Sequence, residues 1–141
     1  MLCACEASVV ATINAERMRK EREENIQKFK QQTIDFCENV IGEQIADVCL
    51  RGGNCARIIF SAIEMNHSIE MKTCRMGIVQ EKTTYANGKH SYTADKSNPE
   101  INLDLVIEYL QAHCYKTSTY PEWYKEWGYG DRKGTELWIE W

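Results

Sequence analysis

The stretch from residue 97 to residue 120, SNPEINLDLVIEYLQAHCYKTSTY, predicts a helix followed directly by a strand. Ser97 or Asn98 supplies the N-cap, and Pro99 suits the first helical position because proline has no N–H group to leave unsatisfied. Tyr115–Tyr120 is rich in threonine and tyrosine, which favour strands. The helical residues that recur at i, i+3, i+4, i+7 and i+11 form one apolar face: Leu103, Val106, Ile107, Leu110 and Cys114.

The C-terminal segment Thr135–Trp141 alternates in the manner of a second strand. Successive strand side chains point to opposite faces, so Leu137, Ile139 and Trp141 share one face. The opposite face then carries Trp138 between two glutamates. A helix packed on antiparallel strands is typical of an α+β fold.

The N-terminal half predicts mostly helix. Residues 14–41 contain no proline or glycine, and Asn14 is a suitable N-cap, which leaves residues 1–13 as a tail or a short helix. One narrow apolar stripe indicates either a helix-to-helix dimer or packing on the chain's own sheet. The stripe consists of Ile26, Phe29, Thr33, Phe36 and Val40.

Shorter elements follow the long helix. Gly42 interrupts the pattern, Glu43–Leu50 predicts a second short helix, and Gly52-Gly53 ends it. Residues 57–63 read as a strand buried on both faces. Asn87-Gly88 is a strong hairpin-turn signal, and its polar flanks predict a hairpin standing away from the sheet.

These elements predict one α+β domain over residues 1–141 with a mainly antiparallel sheet. Its helical part spans residues 14–51. Its sheet part spans residues 56–141, with one packed helix and an inserted β-hairpin at 66–98. The length of 141 residues suits a single domain and excludes a two-domain enzyme.

Charge and cysteine usage limit the function classes. Residues 51–98 carry seven basic and four acidic groups, whereas residues 99–141 carry four basic and eight acidic groups. Nucleic-acid-binding domains usually carry a basic excess throughout, so the acidic end favours a basic protein partner. Seven cysteines, an odd number, indicate thiols in a reducing cytosol. Glu6 breaks the only candidate for a secretory signal, and no apolar run is long enough to span a membrane.

No cluster of reactive residues forms a known catalytic or metal-binding motif. Cys3-x-Cys5 and His113-Cys114 lack zinc-ligand spacing, and His113 suits the end of a helix, where a positive ring is favoured. Arg51–Asn54 could form a phosphate nest, but a lone Gly-Gly after a helix is more often a helix stop, and the sequence contains no glycine-rich nucleotide-binding motif. We therefore expect no enzyme activity, no metal and no cofactor.

The segment from Tyr120 to Arg132 concentrates five aromatic residues among charges and is predicted to be a loop between two strands. It is either a contact surface or a loop that packs its own rings, and Trp138 on the glutamate face favours contact. The predicted partner-binding residues are Trp123, Tyr124, Trp127, Tyr129 and Arg132, supported by Glu122, Glu126, Asp131, Trp138 and Glu140.

The C-terminal third resembles a group of small phage and prophage proteins. The resemblance rests on Val106–Leu110, Tyr115-Lys116 and the Leu-x-Ile-x-Trp ending at Leu137–Trp141. Two features depart from that pattern: Cys114 stands where these proteins usually have glycine, and residues 66–98 look like an insertion. The resemblance implies an accessory protein of a mobile element that acts by binding host machinery.

These observations predict a non-catalytic cytoplasmic protein that inhibits a host enzyme, with a defence nuclease or nucleoprotein complex as partner in the manner of an anti-CRISPR protein. Two alternatives stay open. One is an oligomeric sponge for a signalling nucleotide, with Arg51, Arg57 or Arg132 on its phosphates. The other is a nucleic-acid-binding protein that uses the hairpin as a β-ribbon.

Overall fold

A computed structural model describes residues 1–84, 90–126 and 128–141. The predicted Asn87-Gly88 turn and the predicted contact residue Trp127 lie outside the described residues. The described elements, in chain order, are α1 (Ala4–Phe36), a π-helical turn (Cys37–Ile41), α2 (Gly42–Leu50), β1 (Cys55–Phe60), β2 (Glu64–Asn66), β3 (Met71–Thr73), β4 (Gly77–Thr84), β5 (His90–Ala94), α3 (Leu103–Ala112), β6 (Lys116–Glu126) and β7 (Gly130–Glu140).

The prediction of an α+β fold with an antiparallel sheet is confirmed. The main sheet has the strand order β1-β7-β6, with β7 in the centre, and two further pairs, β2-β3 and β4-β5, are also antiparallel. Pro121 lies within β6, the edge strand, where a missing N–H group leaves no ladder bond unmade.

The long helix begins at Ala4, so the predicted start at Asn14 was wrong. Cys3 caps the helix: its sulfur accepts from the Glu6 N–H group at 3.4 Å, and the Glu6 carboxylate accepts from the Cys3 N–H group at 3.0 Å. This reciprocal pair is a capping box built on a thiol. Gly42 does not interrupt the helix either, because the π-helical turn carries the chain directly into α2.

The apolar stripe of α1 packs inside its own chain. Phe29, Thr33 and Phe36 are buried, and Val40 packs against the core, whereas Ile26 is half-buried. The stripe therefore does not offer the dimer surface that was predicted for it. It meets the inner face of the sheet and α3 in a cluster that contains Phe36, Cys37, Ile41, Ile45, Ala56, Ile58, Phe60, Cys74, Ile101, Leu103, Val106, Leu110, Leu137 and Ile139.

Helix α3 begins at Leu103, not at Pro99. Ile101 is held in an extended bridge to Cys74, with both backbone hydrogen bonds at 2.9 Å, and this pairing excludes helix before residue 102. Asn102 is the true N-cap, since its side-chain oxygen accepts from the Leu105 N–H group at 2.9 Å. His113 closes the helix as predicted, with its Nδ1 atom 2.8 Å from the Tyr109 carbonyl oxygen.

The aromatic segment 120–132 is a β-hairpin, not a loop. β6 and β7 stay paired from Lys116–Glu140 out to Glu126–Gly130, so the predicted loop residues continue both strands. The two strands contain 11 residues each. Their outer half is held against the rest of the molecule by Tyr92 of β5, which is fully buried. The inserted strands therefore lie against the sheet at Tyr92, whereas the turn that was predicted to stand away from the sheet lies outside the described residues.

Candidate functional site

The main sheet has one face on the core and one face that carries polar and aromatic side chains. Strand alternation places Ala56, Ile58, Leu137 and Ile139 on the core face. We call the other side of the paired strands the open face; it consists of Arg57, Ile59, Lys116, Ser118, Tyr120, Glu136, Trp138 and Glu140. Arg57 is exposed there, so β1 is buried on one face and not on both as predicted.

A compact aromatic cluster occupies the middle of the open face. The Arg57 guanidinium lies 3.9 Å from the centre of the Trp138 ring, and the Tyr120 ring meets Trp138 edge-on at 5.2 Å. The Trp138 Nε1–H group donates to Glu136 at 2.5 Å. Cation–π contact, edge-to-face packing and a hydrogen bond thus hold one indole in a single orientation. Tyr120 remains 48% exposed beside it.

Further along the hairpin, the same side of the strands is closed by Tyr92. Tyr124 is only 2% exposed, its ring lies 4.3 Å from that of Tyr92, and its hydroxyl accepts from the Ala62 N–H group at 2.9 Å. Burial is the main reason that the pKa of the Tyr124 hydroxyl is raised. This predicted contact residue is therefore part of the chain's own packing.

Arg132 and Glu126, two other predicted contact residues, line a polar cleft of about 200 Å³, which Tyr124 also lines. Arg132 donates to Glu126 at 3.0 Å and also to Glu64, and the hydrogen bond to Glu64 is the main reason that its pKa is raised. The cleft also holds an ion pair between Arg75 and Glu100, with nitrogen and oxygen 3.1 Å apart.

The cleft joins the short strands to the long hairpin. Glu100 also accepts from Asn66 at 2.6 Å and from Thr73 at 3.3 Å. Acids and bases alternate through this network, so each charge already has a partner of opposite sign. The cleft therefore acts as a structural junction. Sequence reasoning missed Glu64, Arg75 and Glu100 as a group, since they are far apart in the chain and share no pattern.

The remaining predicted contact residues lie elsewhere on the hairpin. Glu122 shares the side of Tyr124, whereas Trp123 and Asp131 belong to the opposite side of the two strands. Trp123 is 44% exposed. Tyr129, in the turn, is 73% exposed and lies 5.4 Å from the Arg132 guanidinium. Among the predicted contact residues that the structure describes, only Trp138 and Glu140 lie on the open face.

Two of the seven thiols, those of Cys37 and Cys74, are buried in the core. Burial raises the pKa of Cys37 and of Cys74 to about 12, so both stay protonated near neutral pH and are poor nucleophiles. The described residues contain no group of three or more side chains able to hold a metal ion. They also contain no helix with the length and apolar character that a membrane crossing needs.

The three arginines considered for a nucleotide site lie in separate surroundings. Arg51 ends α2, where its Nε–H group donates to the Asp47 carbonyl oxygen at 3.3 Å. Arg57 is stacked on Trp138, and Arg132 is paired with carboxylates. The structure therefore brings none of the three to a common phosphate position.

Comparisons with protein-family models, with curated proteins and with solved structures found no match.

Proposed function

We propose that this chain is a non-catalytic binding protein and that the open face is its contact surface. The observation that carries the proposal is the Arg57–Trp138–Tyr120 cluster. Tryptophan, tyrosine and arginine are enriched among the residues that dominate the energetics of protein interfaces, and the two aromatic residues bury a large area. Here all three are fixed by one another before any partner arrives, which lowers the cost of ordering them on binding.

The acidic excess of the C-terminal third, rather than the balanced charges next to the cluster, favours a protein partner with a basic surface. Glu136 and Glu140 lie on the central strand of the open face, and Lys116 and Arg57 lie on its two flanks. The C-terminal third as a whole has an excess of four acidic groups, eight against four. Acidic groups would repel the phosphates of a nucleic acid but would be attracted to the basic groove that binds them.

Together with the resemblance to phage proteins, this charge pattern leads us to propose a specific kind of partner. The partner is a host enzyme that handles nucleic acid, a nuclease or a nucleoprotein complex, and binding at its basic groove inhibits it. The proposal places the contact on one sheet face and not on the whole aromatic segment. Trp123 and Tyr129 then lie outside the contact, and Tyr124 supports the hairpin from within.

Affinity capture from a host lysate, followed by mass spectrometry, tests the proposed partner class. The tagged chain should retain a nuclease or a nucleoprotein complex, and the amount retained should fall at high salt because opposite charges meet at the contact. The Glu136→Lys, Glu140→Lys variant should retain much less, whereas a Glu43→Lys, Asp47→Lys variant, which makes the same change of charge at exposed positions of α2, serves as the matched control. Recovery of a nucleotide or of naked nucleic acid in place of protein would contradict the proposal.

A further inference from the structure

The first part of α1 is exposed to solvent along its whole length in the described structure. Every residue from Met1 to Asn25 is exposed, and Arg22 makes a contact with the body by pairing with Glu70 at 3.4 Å. This arm carries exposed aliphatic side chains, with Val9 at 59% and Ile13 at 60%. β-branched residues are weaker helix formers than alanine or leucine, so helix stability alone does not account for them.

These exposed residues belong to a stripe that continues onto the body. Val9 and Ile13 lie on the same face of α1 as Ile34, which is 37% exposed. The intervals along the stripe alternate between three and four residues, which is the spacing of a coiled-coil seam. The stripe is apolar towards both ends and charged or polar between them: Val9, Ile13, Glu16, Lys20, Glu23, Gln27, Lys30 and Ile34.

The charges in the middle of the arm reverse sign at one point. Residues 16–20 contain three basic groups and one acidic group, and residues 21–24 contain three acidic groups and one basic group. Two copies of this segment in antiparallel orientation place each basic half against the acidic half of the other. Parallel pairing would place like charges together, which is destabilising.

We propose that the partner of this arm is a second copy of the chain, with the two α1 helices packed antiparallel about a two-fold axis between residues 21 and 22. In that register Lys20 faces Glu23 of the second copy, and Val9 faces Ile34. A two-fold interface makes each contact twice, so the Lys20–Glu23 pair and the Val9–Ile34 pair each occur on both sides of the axis.

The same register brings the arm to an apolar groove on the second copy. The groove lies between α1 and α3, encloses about 430 Å³ and is lined by Thr33, Ile34, Cys37, Leu105, Tyr109 and Ala112, with Lys30 and Glu108 at its margins. The chain's own arm does not reach it, because arm and groove belong to the same helix. The arm of an antiparallel second copy reaches it with Val9 and Val10. The reversal of charge along the arm and the position of the groove are separate observations. The same antiparallel register satisfies both.

This contact is independent of the open face, and it is not the dimer predicted from the sequence. The stripe predicted for dimerisation, which includes Phe29 and Phe36, is buried on the chain's own core. Within the arm, Arg19 lies 3.9 Å from Glu23, but both side chains are about two-thirds exposed, at 67% and 65%. A pair so exposed contributes little stability, so Glu23 remains available to a second chain.

Charge-swapped variants test the antiparallel dimer by light scattering over a concentration series. We expect the unaltered chain to show twice the 16.4 kDa chain mass at high concentration. The Lys20→Glu change places two negative side chains against each other where Lys20 and Glu23 meet, and Glu23→Lys places two positive side chains against each other there. Each variant alone should therefore be a monomer. An equimolar mixture of the two should form the dimer again, because opposite charges then meet at both of these contacts. Lys28→Glu, the same charge change on another face of α1, should leave the dimer intact.

Circular dichroism on each variant separates loss of the dimer from loss of the helix. A monomer mass for the unaltered chain at every concentration overturns the proposal. A dimer that survives Lys20→Glu, or a mixture that remains monomeric while both variants stay helical, overturns it as well. Cross-linking between copies that carry Val9→Cys and copies that carry Ile34→Cys confirms the orientation, and its absence in a regained dimer excludes this register.

Discussion

Replacing Gly134 by alanine should destabilise the fold by about 3 kcal/mol, at the upper end of what overpacking costs. A Cβ atom at this position would overlap the Tyr92 hydroxyl and the Phe60 carbonyl oxygen. Those two groups are hydrogen-bonded to each other at 2.7 Å, so the methyl group would break a buried hydrogen bond as well as displace a ring. Chemical denaturation monitored by tryptophan fluorescence measures the free energy of unfolding.

A second glycine in the chain provides the matched control. A Cβ on Gly42 would meet nothing nearer than the Cys37 carbonyl oxygen at 3.5 Å, an ordinary contact, and Gly42 is helical. Gly42→Ala should therefore stabilise the chain by about 1 kcal/mol. Tyr92→Phe removes the hydroxyl that the new methyl group meets, so it should restore part of the stability that Gly134→Ala loses. Equal stability for Gly134→Ala and the unaltered chain would contradict the role given to Tyr92.

Replacing Trp138 by alanine should weaken binding to the captured host protein by about 2 kcal/mol or more, roughly 30-fold in Kd. The change removes the ring that Arg57 and Tyr120 contact, and so it also loosens both of those side chains. Calorimetry with the purified partner measures the loss of affinity. Since Trp138 is half-buried, Tyr120→Ala provides a second variant that removes less packing, and it should lose affinity in the same direction.

The control for this prediction is another exposed aromatic residue of the same hairpin. Trp123 is 44% exposed and Tyr120 is 48% exposed, but they lie on opposite sides of the strands. Trp123→Ala should leave the affinity within about twofold, as expected for a residue outside an interface. A larger loss for Trp123→Ala than for Tyr120→Ala would place the contact on the other side of the hairpin.

Local sequence signals gave the antiparallel class and several of the elements correctly, but not the strands that occupy most of the aromatic segment. The apolar spacing of Leu103, Val106 and Leu110 predicts α3, and the alternation at Leu137 and Ile139 predicts β7. Helix starts were predicted less well. The bridge between Ile101 and Cys74 delays α3, and this tertiary contact leaves no mark in the local sequence. The start of α1 is set by a local capping box between Cys3 and Glu6, in which a thiol takes the place of the usual hydroxyl or carboxylate cap.

The sequence did not show that three of its C-terminal aromatic residues lie in different environments. Tyr124, Trp123 and Trp138 look alike in a charged and aromatic stretch, yet one is buried, one is exposed on the far side and one is stacked under Arg57. Strand pairing and the docking of Tyr92 separate them. Cys114 is a smaller example: its φ of 68° is left-handed, a conformation that glycine adopts far more readily than cysteine, so the residue type gives no sign of it.

Photo-cross-linking from two positions on the hairpin tests most directly whether the open face is the contact surface. A photoreactive amino acid at Ser118, opposite Trp138 on the open face, should cross-link to the host enzyme in a lysate. The same amino acid at Lys133, opposite Trp123 on the other side, should give no such product. A host protein that cross-links from Lys133 and not from Ser118 would show that the open face is not where this protein binds.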